Sequence, residues 1–583
     1  MASLQAVNKD NLHAVVDMGS NGIRFSISDL SEPTTRIMPT IFQDRAGISL
    51  YDAQFSTADR QRGPIPPPVI EEVVTRLVRF KATCEDFGVP SQNIHVLATE
   101  ATRTAPNSAE FISIIKQKTG WETRMLSKED EGRIGALGVA SSFASVEGLV
   151  MDLGGGSTQI TWMVARDGVI TISPKGSMSF PYGAAALTRR LQEARRKGPQ
   201  AEKELKQEMK TNFQNAYQSL LIPETLEKTA KSRGGFDLYL CGGGFRGWGY
   251  LLMSQSRLNP YPIPIINGFK ADRAEFIDTV AVMDTVSQSD TKIFRVSKRR
   301  ASQVPAVAFL VNVLAEALPF IKSIQFCQGG VREGFLYDKL STDVRKQDPL
   351  LVATAPYAPP SAKSIFDLLR SALPDTSSPI LSRQVPSSFT AGLLLALSNL
   401  CFAHSFVPRE TRPAAGLYST TTGILASANS LAHTDRALLA LILSERWPGD
   451  LAPAEQSFQS RLRRFVSPQE AWWCQYLGRV ATLIGDVYPA GRISDREWRI
   501  QFHASWQQVF KKKQGTTDAL CLKVTVNEVV SQAVTRDSLQ DAVERIEKIG
   551  KRKNWIKAED RLGAERIAGD YGVSVEVALS SGT

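Results

Sequence analysis

The apolar and polar positions of the N-terminal part repeat one pattern, which predicts two similar strand–turn–strand units. In residues 13–30 an apolar run is followed by the glycine turn Met18–Gly22 and by an alternating apolar and polar strand. Residues 148–165 have the same order, and their turn is Gly154–Thr158. Because each unit ends its first strand on an aspartate, the repeat indicates a duplicated lobe.

Between and after these units, segments with helical spacing alternate with strands. Apolar residues at helical spacing predict a helix over Val69–Cys84, and further helices are predicted over Ser108–Lys118 and Lys128–Ser142. Ile94–Ala98 is an apolar run of strand length. This alternation predicts an α/β architecture.

The second half of the chain has a different pattern. The Pro/Ser-rich stretch Pro349–Lys363 looks like a linker, after which the pattern is mainly helical. Strand-like runs at Glu497–Phe502 and Leu520–Val526 predict a small α+β unit, followed by an amphipathic helix over Leu539–Ile549. The alternating run Val573–Leu579 has no predicted place. The expected units are a first lobe over residues 12–142, a second over 143–345, a helical domain over 364–490 and the α+β unit over 491–583.

Composition narrows the class of protein. Of 583 residues, 43% are apolar and 22% are charged, which is typical of a folded globular chain. The apolar stretches Ala306–Ile321 and Ala391–Ala403 are too short or too polar for a membrane span, so we expect buried helices and no membrane association. No secretory signal is visible, and six scattered cysteines fit a reducing compartment, so a cytoplasmic location is expected.

The formal charge of +10 favours acidic partners without choosing among them. Basic clusters such as Lys298–Arg300 are interpreted as solvated surface, with a polyanion track as the functional alternative. Direct nucleic-acid binding is not expected.

The two glycine turns are candidate phosphate loops, because glycine N–H groups approach phosphate without a Cβ in the way. Asp17 and Asp152, at the strand ends, would hold Mg²⁺ through water, since a carboxylate beside phosphate needs a cation between them. The alternative is that either aspartate only caps a turn. The candidate phosphate-binding residues of the two turns are Gly19, Ser20, Asn21, Gly154, Gly155, Gly156, Ser157 and Thr158.

A third glycine cluster, Gly242, Gly243 and Gly244, follows the apolar strand Leu238–Cys241. A loop in this position contacts adenosine in nucleotide-binding members of the actin-like superfamily. The cluster is therefore a weak candidate for nucleotide binding, and a structural turn is the equal alternative.

Five motifs together resemble the exopolyphosphatase / guanosine pentaphosphate phosphohydrolase (Ppx/GppA) family in order and spacing. They are Asp17–Asn21, Thr99–Arg103, Ser127–Arg133, Asp152–Ser157 and Gly330–Gly334. The resemblance implies a two-lobed actin-like ATPase (ribonuclease H-like) fold with duplicated lobes. It also implies Mg²⁺-assisted release of a terminal phosphoryl group, with Glu131 as the general base and Arg103 steadying the phosphate.

Departures from the family pattern bear on catalysis. Gln159 stands where the hydrolases carry a glutamate, Gly22 replaces a serine or threonine, and Lys128 replaces a glycine. These features are similar to the fungal retrograde regulation protein 2 branch of the family. That branch implies a sensor in mitochondria-to-nucleus signalling, which binds a negative regulator of transcription factors.

The leading hypothesis is therefore a signalling regulator whose ligand is polyphosphate, ATP or a guanosine polyphosphate and which binds a regulatory protein partner. The rival is an active exopolyphosphatase or guanosine polyphosphate phosphohydrolase, and a scaffold with vestigial loops is a third possibility. The helical region is interpreted as a dimerisation or partner-binding module, so a homodimer is possible. Its nearest match to a His-Asp metal site is His433-Thr-Asp435, and we interpret the histidines there as surface or packing residues.

Overall fold

The structure is a computed structural model that describes residues 8–55, 62–288, 295–318, 321–375, 384–494, 498–511, 515–527, 534–557 and 570–582. Among the described residues, the first lobe contains five strands and five α-helices. In chain order they are β1 (Leu12–Gly19), β2 (Gly22–Asp29), β3 (Thr40–Ala46), α1 (Leu50–Ala53), α2 (Pro67–Phe87), β4 (Ile94–Ala98), α3 (Glu100–Arg103), α4 (Ser108–Thr119), β5 (Thr123–Met125) and α5 (Lys128–Ser141).

The second lobe is larger and extends to residue 345. Its elements are β6 (Val146–Leu153), β7 (Thr158–Arg166), β8 (Val169–Ile172), β9 (Met178–Phe180), α6 (Ala184–Lys197), α7 (Pro199–Ser219), α8 (Glu224–Arg233), β10 (Phe236–Cys241), α9 (Gly242–Ser254), β11 (Phe269–Asp272), α10 (Arg273–Ile277), α11 (Thr279–Gln288), α12 (Lys298–Ala301), α13 (Val304–Ala317), β12 (Ile321–Phe326), α14 (Val331–Asp338) and α15 (Thr342–Arg345).

The two sheets share one topology, which confirms the predicted duplication. The first has the order β3-β2-β1-β4-β5, with β1 antiparallel to β2 and parallel to β4. The second contains β8-β7-β6-β10-β12, with β6 antiparallel to β7 and parallel to β10, and β11 is added at its edge. In each lobe, therefore, a glycine turn lies at the end of the central strand.

The lobes meet through helices α5 and α14, which pack at glycine residues. A Cβ on Gly138 would lie 2.7 Å from the nitrogen of Gly330, and one on Gly334 would lie 2.7 Å from the nitrogen of Gly138. Arg133 of α5 also forms a bidentate ion pair with Asp338 of α14, with N–O distances of 3.0 and 2.9 Å. The crossing leaves no space for a side chain, so it fixes how the two lobes approach each other.

The C-terminal region is a helical layer followed by a three-stranded sheet in the order β13-β14-β15. Most of its helices and strands share one apolar core, in which Trp472, Trp473 and Tyr476 are fully buried. Its elements are α16 (Pro349–Thr354), α17 (Ala362–Ser371), α18 (Ala391–Leu400), α19 (Arg412–Tyr418), α20 (His433–Arg446), α21 (Pro453–Phe465), α22 (Pro468–Val487), β13 (Ile500–Lys511), β14 (Gly515–Val526), α23 (Arg536–Ile549) and β15 (Ser574–Ser581).

The structure corrects the expected linker in this region and places the tail segment that had no predicted place. The segment Pro349–Lys363 is not a loose linker: α16 begins at its proline, and Leu350, Val352 and Ala353 are buried in the C-terminal core. The unplaced alternating tail is β15, which pairs in parallel with β14. Of the first strand-like run, Glu497 lies outside the described residues.

The predicted amphipathic helix is α23, and the apolar stretches of the chain form the buried helices α13 and α18. Within the described ranges, no helix combines the length and the hydropathy that a bilayer crossing requires.

Candidate functional site

The two glycine turns face each other across the cleft between the lobes. A Cβ on Gly155 would lie 2.7 Å from the Cβ of Asn21, and one on Gly156 would collide with the carboxylate of Glu100. Ser20 donates a hydrogen bond to that carboxylate at 3.1 Å. Side chains larger than glycine in the second turn would therefore push the lobes apart.

The turns enclose a cavity of about 90 Å³. This volume holds a phosphoryl group but is well below the roughly 300–1,000 Å³ of pockets that enclose whole small-molecule ligands. The predicted residues on its wall are Asp17, Gly19, Ser20, Asn21, Glu131, Asp152, Gly154, Gly155, Gly156, Ser157, Gly242, Gly243 and Gly244. The fold thus gathers around one cavity residues that are more than 200 positions apart.

Asp17 and Asp152 contribute one carboxylate from each lobe. Burial raises the pKa of both groups, and Arg24 opposes this effect in each case. Two carboxylates beside a phosphate cavity fit the way Mg²⁺ binds, through one or two carboxylates together with waters and phosphate oxygens. Among the described residues, however, no group of three histidine, cysteine or acidic side chains could form a complete protein cage for a metal.

Gln159 lies directly opposite Asp152 in the β6–β7 register. Facing residues of an antiparallel pair point to the same side of the sheet, so this amide borders the cavity beside the aspartate. Its Nε2 donates to the Oγ of Ser157 at 3.0 Å and thereby holds the second turn. At this position the chain has a neutral hydrogen-bond donor in place of a third carboxylate.

Sequence reasoning missed a cluster of arginines on the cavity wall: Arg24, Arg45, Arg246 and Arg300. Arg246, followed by burial, lowers the pKa of Arg24 to about 9. Burial, followed by Arg246, lowers the pKa of Arg300 to about 10. Because the guanidinium groups repel one another, an anion in the cavity would relieve them.

Arg246 is the member of this cluster that bears most directly on ligand binding. Its side chain is only 7% exposed, its Nε donates to the carbonyl of Gly242 at 3.2 Å and its Nη1 to the carbonyl of Gln328 at 3.2 Å. Its Nη2 is buried and has no hydrogen-bond partner among the residues that the structure describes. Buried donors are rarely left unpaired, because desolvation then costs about 1–3 kcal/mol.

A sequence signal for these arginines existed in part. Arg24 is on the strand that leaves the first turn, and Arg246 follows the third glycine cluster by two residues. Arg300 belongs to the basic cluster that we interpreted as solvated surface. That interpretation is wrong for Arg300, which lines the cavity, and the polyanion alternative stays a prediction.

Glu131 reaches the cavity from the first turn of α5, which Ser127 caps by accepting a hydrogen bond from the nitrogen of Asp130 at 3.0 Å. Burial raises the pKa of Glu131 to about 7, with further contributions from Asp152 and Asp17. Arg103 opposes this shift from 3.2 Å. A carboxyl group with a pKa near neutral is suited to general-base chemistry.

Two predicted site residues act on their neighbours in this structure. Nη1 of Arg103 donates to Glu131 and to the carbonyl of Leu126, so Arg103 holds the glutamate in place. The fully buried Thr158 donates its hydroxyl to the carbonyl of Asp152 at 2.8 Å, which stabilises the second turn from within.

The third glycine cluster begins helix α9 and is needed for packing. Gly242 has a φ of +87°, and a Cβ on it would collide with Asp152, while one on Gly244 would collide with Leu153. Gly243 lies beside Arg24, with 3.6 Å between its ideal Cβ position and Nη2 of the arginine. The cluster therefore has a clear structural role, and its contact with a nucleotide stays a prediction.

The near match to a metal motif in the C-terminal region has a packing role. The ring of His433 contacts the hydroxyl of Tyr261 at 2.8 Å and the carbonyl of Ile265 at 2.9 Å. Burial lowers its pKa to about 3. His433 thus connects α20 to the second lobe.

Two duplicated α/β lobes around a small, arginine-lined cavity define a two-lobed protein of the actin-like fold. The model of the Ppx/GppA phosphatase family matches residues 27–343, and that of the RTG2 C-terminal domain matches residues 348–580. Retrograde regulation protein 2 of Saccharomyces cerevisiae is 41% identical over 509 residues, covering 85% of this chain and 84% of the relative. The chain belongs to the Ppx/GppA phosphatase family and shares the C-terminal domain of its retrograde regulation branch.

Two other similar proteins each match about half of this chain. Exopolyphosphatase 1 of Mycobacterium leprae is 24% identical over 342 residues, which cover 56% of this chain and 89% of that protein. The crystal structure of the Aquifex aeolicus Ppx/GppA family member covers 56% of this chain and 97% of its own, with 21% identity and a TM-score of 0.41.

Proposed function

We propose that this protein is a phosphate-sensing signalling regulator, which binds the terminal phosphate of polyphosphate, ATP or a guanosine polyphosphate between its lobes. The observation that carries the proposal is Arg246, which lines a cavity walled by both glycine turns and whose buried Nη2 has no hydrogen-bond partner among the described residues. A phosphate oxygen would supply the missing acceptor, and charge-assisted bonds of this kind are the strong ones.

Regulation by lobe closure is supported by contacts across the cleft. Nδ2 of Asn21 donates to Oε1 of Gln303 at 3.2 Å, and Nη1 of Arg299 donates to the carbonyl of Gly47 at 3.0 Å. A ligand that binds the arginine cluster from both sides would favour this closed arrangement over an open one. Mg²⁺ held through water by Asp17 and Asp152 would neutralise phosphate charge there.

The signalling role rests on the 41% identical yeast relative, a retrograde regulation protein. By this similarity we propose that the chain acts in the cytoplasm, in mitochondria-to-nucleus signalling. In this role it would bind a regulatory protein partner that restrains transcription factors. Ligand-driven closure would change the surface that this partner contacts.

Titration calorimetry with polyphosphate, ATP and guanosine polyphosphates, each with and without Mg²⁺, tests the proposal. Wild type is expected to bind at least one ligand, and Arg246→Gln and Arg300→Gln are expected to weaken binding about 10- to 100-fold, from roughly 1.5–3 kcal/mol per charge-assisted bond. The exposed Arg196→Gln is the matched control. Absence of binding to every ligand, or equal binding by all variants, would refute the proposed site.

A second candidate function, hydrolysis of a terminal phosphoryl group, is favoured by the pKa of Glu131 near 7 beside Arg103. In that reaction Glu131 would take the proton of the attacking water. Phosphate release from polyphosphate by wild type and by Glu131→Ala discriminates the two functions. Phosphate release that rises with pH through about 7 and is lost in the variant would establish the enzyme. Equal background release by both proteins would rule out hydrolysis and keep only the regulatory function.

A further inference from the structure

A second cleft, larger than the phosphate cavity, lies between the second lobe and the C-terminal region. Its volume is about 1900 Å³, well above the roughly 300–1,000 Å³ of small-molecule pockets. One wall consists of the segment after α9 together with β11, α10 and α11, and the other of α21, α22, α23 and residues 553–557. The size and the open walls fit a stretch of polypeptide.

Basic side chains outnumber acidic ones on the walls of this cleft. Among the described residues that line it, nine are lysine or arginine and five are aspartate or glutamate. Several acidic groups are already occupied: Asp272 and Glu275 cap helix α10, and Glu445 binds Arg463 at 3.1 Å and Arg479 at 2.9 Å.

The basic groups, in contrast, include several that are exposed and free within the described part of the chain. Lys270, Lys548, Lys553 and Lys557 make no ion pair or side-chain hydrogen bond with any residue that the structure describes. They line the cleft from both walls, since Lys270 is on β11 and the other three follow from the last turns of α23 onward. An acidic ligand would therefore meet uncompensated positive charge on either side.

Apolar side chains lie among these lysines. Leu258 and Tyr261 on one wall, and Phe465, Trp555 and Ile556 on the other, are partly exposed and line the cleft. A bare inorganic polyanion has no apolar atoms to bury against them, whereas a peptide that carries both acidic and apolar residues does. The mixture of lysines and apolar side chains is what such a peptide requires.

We propose that this cleft, which we name the basic cleft, binds an acidic segment of a protein partner that intersperses acidic with apolar residues. The inference rests on the proposed regulatory function, to which it adds a surface for the partner. Because the second lobe forms one wall and the C-terminal region forms the other, the bound segment would bridge the two lobes and the C-terminal region.

A displayed library of random 15-residue peptides, selected against the full chain, tests this inference. We expect the selected peptides to carry an excess of aspartate and glutamate among apolar residues, and their binding, measured by fluorescence anisotropy, to weaken as salt rises. The variant Lys548→Glu/Lys553→Glu/Lys557→Glu is expected to weaken binding at least tenfold. These lysines are exposed, so the variant keeps the fold.

The matched control reverses three exposed lysines outside the cleft: Lys175→Glu, Lys322→Glu and Lys363→Glu. It changes the net charge equally, so it should bind the peptides as wild type does apart from a small long-range effect. Selection of no peptides, selection of peptides without acidic excess, or an equal loss in both variants would overturn the inference. So would displacement of the peptides by polyphosphate that itself binds the cleft as tightly, since the site would then be one for inorganic polyanions.

Calorimetry on the same triple variant separates this inference from the proposed function. The basic cleft does not include the glycine turns, so phosphate-ligand binding should be unchanged when peptide binding is lost. Conversely, Arg300→Gln should bind the phosphate ligand more weakly, as stated above, while it still binds the peptides in the absence of that ligand. The two measurements therefore show separately whether the phosphate cavity or the basic cleft fails to bind its ligand.

Discussion

Glu131 gives a prediction whose magnitude follows from its surroundings. Its side chain is only 15% exposed, and its pKa is raised from 4.5 to about 7, with burial as the main cause. Raising the pKa of the carboxyl group from 4.5 to about 7 costs its ionised form about 3 kcal/mol, because a tenfold change in an equilibrium constant is worth about 1.4 kcal/mol. Above pH 7 the folded protein therefore carries a buried carboxylate at a cost of about 3 kcal/mol, which falls away as the pH drops toward 4.5.

Replacing Glu131 by glutamine should remove this cost while keeping the shape of the side chain. The unfolding free energy of Glu131→Gln should thus exceed that of wild type by up to about 3 kcal/mol at pH 8, and the difference should shrink toward zero at pH 4.5. Urea unfolding followed by tryptophan fluorescence at pH 5, 6.5 and 8 measures it. The first lobe reports through Trp121 and the second through Trp162 and Trp248, which matters because a chain of several domains need not unfold in one step.

The control is Glu129→Gln, two residues earlier on the same helix, where the side chain is exposed. Its effect should be small at every pH. A stability gain in Glu131→Gln that does not depend on pH, or a loss that grows with pH, would refute the assignment of a buried carboxyl group with a raised pKa.

Three further substitutions test other parts of the structure. Gln159→Glu places a carboxylate opposite Asp152, so the free energy of unfolding should fall by roughly 1 kcal/mol without Mg²⁺ and recover with it, as measured by thermal unfolding. No effect of Mg²⁺ would contradict the proposed metal site. Gly334→Ala forces a methyl group against α5 and should cost about 1–3 kcal/mol in urea unfolding, whereas Gly47→Ala, with nothing within 4 Å, should be near neutral. Arg36→Met removes three hydrogen bonds to main-chain carbonyls and should destabilise the protein by at least about 1–3 kcal/mol, as measured by scanning calorimetry. An unchanged transition temperature would show that these hydrogen bonds do not stabilise the fold.

The local features of the fold could be predicted from the sequence because they depend on neighbouring residues. The strand–turn–strand repeat, the helix over residues 69–84 and the capped start of α5 follow from periodicity and from residues such as Ser127. The segment Pro349–Lys363 was mistaken for a linker because prolines also begin helices, and α16 starts at Pro349. Its burial depends on the C-terminal core, which local composition does not report.

The candidate site was predictable as far as its residues lie in recognisable turns. Asp17, Asp152 and the glycines were found by their position after a strand, and Glu131 by resemblance to a family motif. Arg45 and Arg300, in contrast, come from segments without such a motif and reach the cavity only when the lobes are assembled. The ion pair between Glu131 and Arg103 and the shifted pKa of Glu131 likewise depend on burial, which no sequence window contains.

By itself, then, the sequence determined two glycine turns at strand ends, in duplicate, together with the identity of residue 159. These are properties of short segments, since a turn and a strand register are set by residues that are adjacent in the chain. Only the tertiary structure decided that four arginines line the cavity beside the turns and that a second, basic cleft lies between the second lobe and the C-terminal region. It also decided that Arg246 has a buried donor without a partner among the described residues. Electrostatic potential and cavity shape arise from groups distant in the chain, so they exist only once the lobes and the C-terminal region have packed together.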